Sequence, residues 1–233
     1  MALAGLLFDK DGTLIHFNET WNPAVLSVLK YQAQGDIAVL RRLAEALDYD
    51  LDISGFKTGA TFVAGTWSDY GNAWATALGL VNDQNFEDRT NQLLIEACAQ
   101  SLAPVGNPAA VASLLRQRGL LLGIATNDGE RAAHHQAEAL GLKPHLSFIA
   151  GYDSGFGAKP APGMVHGFAS HIGAEPARIG MVGDSVHDMD AAKRAGAVAI
   201  GVLTGPLSRE ELEHHADHII DSIADLPDLM DRI

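Results

Sequence analysis

The chain has 233 residues, 47% of them hydrophobic and 19% charged, which suits one globular domain or one domain carrying an insert and excludes intrinsic disorder. No uncharged run approaches the ~20 residues that span a bilayer, and a formal charge of −13 argues against nucleic-acid and acidic-membrane partners. An anionic substrate would therefore need a local cation.

The start, Met1 to Phe8, is apolar but lacks a basic leader, so no signal peptide is expected and a cytoplasmic enzyme is the default. Leu6-Leu7-Phe8 is short enough for one buried parallel strand and runs into Asp9-Lys10-Asp11-Gly12-Thr13-Leu14. Strand alternation points Asp9 and Asp11 the same way, and Lys10 away from them toward the surface or a packed helix. Two like charges held this close destabilise each other unless a cation, a proton or a reacting group compensates. A plain strand cap, or the start of a calcium loop, stays open at this point, although Leu14, Ile15 and Phe17 stand where a calcium loop needs oxygen ligands.

A long helical interval follows. Thr20 or Asn22 can cap a helix through about 34 with Pro23 in its first turn, and further helices are expected at 36–47, 68–78 and 86–101 around a glycine-rich loop at 54–60. Residues 16–102 thus read as an all-helical module, in which the single cysteine, Cys98, reads as a small buried residue. Trp21, Trp67 and Trp74 read as its packing residues, with Trp21 the best placed to line an entrance.

From Pro104 helices and strands alternate. Helices are expected at 108–118, 130–140, 163–172, 188–195 and 208–215, and strands at 120–125, 146–150, 179–183, 197–202 and 218–220. This is the pattern of an α/β fold, a parallel sheet with helices on both faces, formed by 1–15 and 103–233. Such sheets bind ligands beyond the carboxyl ends of their strands, where Asp9, Thr126 and Asp184 all fall.

Four motifs now stand in order: Asp9-Lys10-Asp11-Gly12-Thr13-Leu14, the strand end Thr126-Asn127, the isolated Lys159-Pro160, and Gly183-Asp184-Ser185-Val186-His187-Asp188. With them the chain resembles the haloacid dehalogenase superfamily of phosphatases from first strand to last. The insert resembles the helical cap of the subgroup that includes phosphoglycolate phosphatases, beta-phosphoglucomutases and phosphonate hydrolases, and the closest likeness is to the phosphoglycolate phosphatase-like branch. The resemblance implies a Rossmann-like core with an inserted cap. It makes Asp9 a nucleophile that forms an aspartyl-phosphate and Asp11 the general acid and base, and Asp11 itself argues for phosphate esters over carbon–halogen bonds. Thr126 and Lys159 would clamp the phosphate, helped by the backbone N–H groups of Asn127 and Asp128.

Asp9, Asp11, Asp184 and Asp188 would bring up to four negative charges to one crevice against the single charge of Lys159, which calls for a divalent cation. The resemblance implies Mg2+, bound by the Asp9 carboxylate, the Asp11 backbone carbonyl and the Asp184 carboxylate, with Asp188 orienting Lys159 or a bound water. Manganese or cobalt is expected to substitute. Lys10 departs from the apolar residue expected there in the family.

The implied partner is a small phosphorylated metabolite, 2-phosphoglycolate being the best single choice, acted on by a monomer or homodimer. A sugar-phosphate mutase and a catalytically silent binding module on the same fold are the alternatives. Selectivity is expected from the insert, where His16, Asn18, Thr20, Lys57, Thr58 and Thr61 are the polar choices, Lys57 also as the Schiff-base lysine of phosphonate hydrolases. His187 lies within the fourth motif and could approach substrate. His134-His135 and the spaced pair His214 and His218 read as exposed polar faces.

Overall fold

A computed structural model describes residues 2–233; Met1, the first residue of the expected core, lies outside them. In chain order the strands and α-helices are β1 (Gly5–Phe8), α1 (Phe17–Ala33), α2 (Ile37–Ala46), β2 (Tyr49–Asp50), β3 (Gly55–Phe56), α3 (Thr61–Ala64), α4 (Trp67–Ala77) and α5 (Gln84–Ser101). They continue as α6 (Pro108–Gln117), β4 (Leu121–Ala125), α7 (Glu130–Ala139), β5 (Leu146–Ala150), α8 (Gly163–Ile172), β6 (Ile179–Gly183), α9 (Val186–Ala195), β7 (Val198–Val202), α10 (Arg209–Glu213), β8 (His218–Ile220) and α11 (Leu226–Met230). The described residues divide into two compact units: one runs to His16 and resumes at Pro104, and the other is Phe17–Ala103. None of the described helices is long and apolar enough to cross a membrane.

The first unit is a parallel sheet in the order β5-β4-β1-β6-β7-β8. Central strand β1 pairs with β4 on one side and β6 on the other, so that Phe8 lies level with both Ile124 and Val182. Both faces are covered, which is why the strands read as continuous apolar runs rather than as alternations. One face packs Leu6, Phe8, Leu122 and Ile124 against Leu115 of α6 and Leu226 and Leu229 of α11. The other packs Leu7 and Met181 against Met164 and Phe168 of α8 and Met189 of α9. Chain order reverses beside β1, and the crevice at that switch point lies at the carboxyl ends of β1, β4 and β6.

The strands match their expected positions, and the departures have local causes. Helix α11 went unanticipated because five residues with Pro227 near the start are too few to show a helical period. Helix α9 is capped by Ser185, with Asp188 completing the capping box from the third position rather than serving as the cap. Helix α10 ends at Glu213, so His214 and His218 do not share a helix face, and His218 opens β8.

The second unit is helical apart from a short antiparallel hairpin, β2 with β3, of which β3 falls in the stretch expected to be a loop and β2 just before it. Helix α1 starts before Thr20, which places Pro23 within the helix rather than in its first turn. Thr20 is spent on this unit's own structure: its Oγ1 accepts from the Ala103 N–H at 3.1 Å and its carbonyl accepts from Ser101 Oγ at 2.8 Å. It is therefore removed from the polar residues expected to meet substrate. Trp21, Trp67, Trp74 and Cys98 are all buried, so Trp21 packs rather than lining an opening. Trp74 Nε1 donates to Gln32 Oε1 at 2.7 Å and Trp67 Nε1 to Asn82 Oδ1 at 3.0 Å, which satisfies the polar ends of two buried rings.

Candidate active site

Asp9 follows β1 directly, and its N–H donates to the carbonyl of Val182 at 2.7 Å, extending the pairing with β6 by one residue. Asp184 follows β6 and Asp188 sits in the first turn of α9, so the topology alone brings three aspartates from two distant stretches to one sheet edge. One carboxylate oxygen from each lies within 4.8 Å of the other two, and all three residues are buried. Lys159 reaches the same place from the loop before α8. Its Nζ lies 2.5 Å from Asp9 Oδ1, 2.6 Å from Asp188 Oδ1 and 2.9 Å from the Ala125 carbonyl. Its backbone is fixed as well, since the Asn127 side chain accepts from the Lys159 N–H at 2.8 Å and donates to the Lys159 carbonyl at 3.0 Å.

The electrostatics follow from this packing. Burial raises the Asp9 carboxyl to about 7, with Lys159 opposing the shift and Asp188 and Asp11 adding to it. Asp184 is held well above the usual carboxylate range, first by burial and then by the charges of Asp9 and Asp188. Lys159 stands above the ordinary lysine value: burial works against its charge, but Asp188 and Asp9 outweigh that. Three carboxylates against one ammonium leave two formal negative charges in a buried site. A hard divalent cation with oxygen ligands fits that set. The surroundings of Asp184 fit it too. Thr13 Oγ1 donates to Asp184 Oδ1 at 3.2 Å, and a Cβ at Gly12 or Gly205 would overlap the Asp184 carboxylate.

A pH dependence follows. A carboxyl whose pKa is higher in the fold than in the unfolded chain binds its proton more tightly when folded, so it favours the fold at low pH and that contribution is lost as the pH rises through the folded value. For Asp9 the loss runs from the ordinary carboxylate range up through about 7. In EDTA the melting temperature should fall between about pH 5 and about pH 8, less so in Asp9→Asn, and added Mg2+ should stabilise more at the upper end. A flat profile in EDTA would contradict the assignment.

Asp11 departs from expectation. Its carboxylate does not join the other three, because the strand ends at Phe8 and the chain folds into a turn in which the Leu14 and Ile15 N–H groups both donate to the Lys10 carbonyl. Asp11 Oδ2 instead lies 2.5 Å from Lys10 Nζ. Lys10 was expected at the surface or against a helix, with Lys159 the only cation of the crevice; it is 1% exposed and also lies 3.0 Å from Asp128 Oδ2. Alternation indicates a face, and both faces of this strand are buried. The expected phosphate donor Asp128 N–H is already engaged, donating to Thr126 Oγ1 at 3.0 Å, which leaves the Thr126 hydroxyl proton for another acceptor.

Reading the sequence alone missed the side-chain roles of Asp128, Thr13, Ser185 and Thr204, and the close approach of Gly205. Ser185 Oγ donates to Asp188 Oδ2 at 2.6 Å, and Thr204 Oγ1 donates to the Gly12 carbonyl at 2.6 Å, drawing the loop after β7 over Asp184. Gly205-Pro206 was the available signal for that loop. Gly205→Ala should displace the Asp184 carboxylate and weaken any divalent cation held there by about 10- to 100-fold, read by Mg2+ titration of the melting temperature. An unchanged titration would remove Gly205 from the site. Among the remaining residues, His16 is half-buried, Asn18, Lys57, Thr58 and Thr61 are exposed, His134 and His135 are exposed on α7, and His187 is half-buried on α9. A Schiff-base amine is ordinarily desolvated, which exposed Lys57 is not.

Known proteins share this architecture. A phosphoglycolate phosphatase of Chromobacterium violaceum is 41% identical over 117 residues, 50% of this chain and 52% of that protein, so the match spans about half the length of that curated relative. A predicted phosphoglycolate phosphatase from Haemophilus somnus superposes with a TM-score of 0.70 at 17% identity, covering 97% of each chain. A candidate beta-phosphoglucomutase from Thermotoga maritima does so with a TM-score of 0.69 at 17% identity, covering 99% of this chain and 100% of that one. At such identities these two structures establish the shared fold. The family model of haloacid dehalogenase-like hydrolases matches residues 3–196, from before β1 to the end of α9, and the chain belongs to that family.

Proposed function

We propose that the chain is a Mg2+-dependent phosphatase that hydrolyses a small phosphorylated metabolite, 2-phosphoglycolate first among them, through an aspartyl-phosphate on Asp9. The observation that carries this reading is the convergence of buried Asp9, Asp184 and Asp188 on one point, with Lys159 bridging Asp9 and Asp188. The name of the Chromobacterium violaceum relative supports the choice of substrate.

In the first step an Asp9 carboxylate oxygen attacks phosphorus, the bond from phosphorus to the ester oxygen breaks, and Asp11 gives its proton to the departing alkoxide. In the second, water attacks the same phosphorus, Asp11 takes the water proton, and the Asp9 carboxylate leaves as free phosphate forms. Thr126 donates its hydroxyl proton to a phosphoryl oxygen, and Lys159 balances charge as it moves between Asp9 and the phosphoryl group. Asn127 keeps Lys159 in place through the two hydrogen bonds to its backbone. Magnesium, held by the Asp9 and Asp184 carboxylates and the Asp11 carbonyl, would supply the positive charge that admits a phosphate dianion to an acidic site.

The test is a panel of phosphate monoesters assayed with and without EDTA, with product analysis. Release of inorganic phosphate that stops on chelation is expected. An isomerised sugar phosphate would assign a mutase instead, turnover indifferent to EDTA would refute the metal, and binding without turnover would assign a silent module.

A further inference from the structure

The reaction described above does not use the second buried lysine. Lys10 is 1% exposed and stands two residues beyond Phe8, the last residue of β1, whose side chain belongs to an apolar cluster with Leu6, Leu14 and Ile124. A buried ion pair contributes little net stability compared with apolar residues of similar volume. Stability alone therefore gives no reason to keep an ammonium there, and its position beside Asp11 gives one.

The surroundings of Lys10 repeat those of Lys159. Lys159 links Asp9 to Asp188, an aspartate fixed in the first turn of α9; Lys10 links Asp11 to Asp128, an aspartate fixed just before α7. Asp128 is fixed by three hydrogen bonds. Its Oδ1 accepts from the Gly129 N–H at 2.7 Å, its carbonyl accepts from the Tyr152 N–H at 3.1 Å, and its N–H donates to Thr126 Oγ1 at 3.0 Å. Each carboxylate of the Asp9 and Asp11 pair thus has its own lysine, and each lysine has its own anchored aspartate. The β1–β4 register, with Phe8 level with Ile124, brings Lys10 alongside the loop that carries Asp128.

We propose that Lys10, anchored by Asp128, is a positioning residue that holds the Asp11 carboxylate in place for its proton transfers. The proposal rests on Asp11 being the acid and base of the proposed function. It predicts an effect confined to the steps in which Asp11 gives or takes a proton. Departure of a poor leaving group, an alkoxide, needs the Asp11 proton as the ester bond breaks. Departure of 4-nitrophenolate does not, because that anion leaves without one.

The experiment compares the wild-type chain with Lys10→Met and with the double variant Lys10→Met/Asp128→Asn, which removes both charges of the pair together. Two rates are read in the presence of Mg2+: steady turnover of the alkyl phosphate hydrolysed fastest in the panel, 2-phosphoglycolate on the reading above, and first-turnover release of 4-nitrophenolate from 4-nitrophenyl phosphate. In both variants alkyl phosphate turnover should fall about 100-fold, while 4-nitrophenolate release changes by less than about threefold. Where the single variant fails to fold, the double variant decides.

A folded double variant with wild-type turnover would mean that Lys10 only neutralises Asp128. Equal loss of both rates would mean general loosening, and a double variant that does not fold would assign the pair to stability; each result overturns the proposal. A wild-type chain that hydrolyses neither compound overturns the phosphatase reading itself, an outcome distinct from the other three.

Discussion

Asp9→Asn should lower phosphate monoester turnover by about four orders of magnitude or more with the fold intact. The amide matches the carboxylate in shape but lacks the charge and the nucleophilic oxygen on which the first step depends. Lys159 keeps Asp188 and the Ala125 carbonyl as acceptors after the change, so its place in the loop survives. A second readout separates lost chemistry from lost structure. Burial raises the Asp9 carboxyl to about 7, so above that pH its anion weighs against the metal-free fold. In EDTA at about pH 8 the variant should therefore melt no lower than wild type. Turnover near the wild-type rate would remove Asp9 as the nucleophile.

Lys159→Met should have the second largest effect, on stability as well as on rate. Nearly all of its side chain is buried, and its ammonium is the counter-charge for both Asp9 and Asp188. Removing one member of a buried, hydrogen-bonded ion pair typically costs about 3–5 kcal/mol, because the other member is left without compensation. The Ala125 carbonyl also loses its donor. Denaturant unfolding in EDTA at neutral pH should show that loss, and Mg2+ should return part of it by supplying charge to the same carboxylates. Turnover should fall at least about 100-fold. A variant as stable as wild type in EDTA would mean that the three carboxylates do not depend on Lys159.

Much of the fold was legible because this sheet is buried on both faces. Strands such as Gly5–Phe8, Leu121–Ala125 and Ile179–Gly183 stand out as apolar runs, and Asp9, Thr126 and Asp184 mark their carboxyl ends. The second unit was harder to read. Tyr49–Asp50 and Gly55–Phe56 are two-residue strands, too short for any period, and the early start of α1 shows that a good capping residue such as Thr20 can be claimed by a partner far along the chain.

In the site, the residues on strand ends were legible and the residues that hold them were not. Alternation placed Lys10 on the face away from Asp9, yet it carries no information on whether a helix and a second carboxylate wait there. The direction of Asp11 was misread for a related reason, since alternation stops when the strand does and Gly12, with φ of 81°, turns the chain. Asp128 and Thr204 act through contacts that bring together loops following different strands. Such contacts are set by topology and leave no local pattern.

The most direct measurement follows the phosphoryl group itself. Wild-type protein turning over 32P-labelled 2-phosphoglycolate with Mg2+ is quenched in acid within the first turnovers, digested and mapped by peptide. The label should sit on the peptide that contains Asp9, and EDTA should abolish it. Label on another residue, or free phosphate formed in the burst with no labelled protein, would contradict the account.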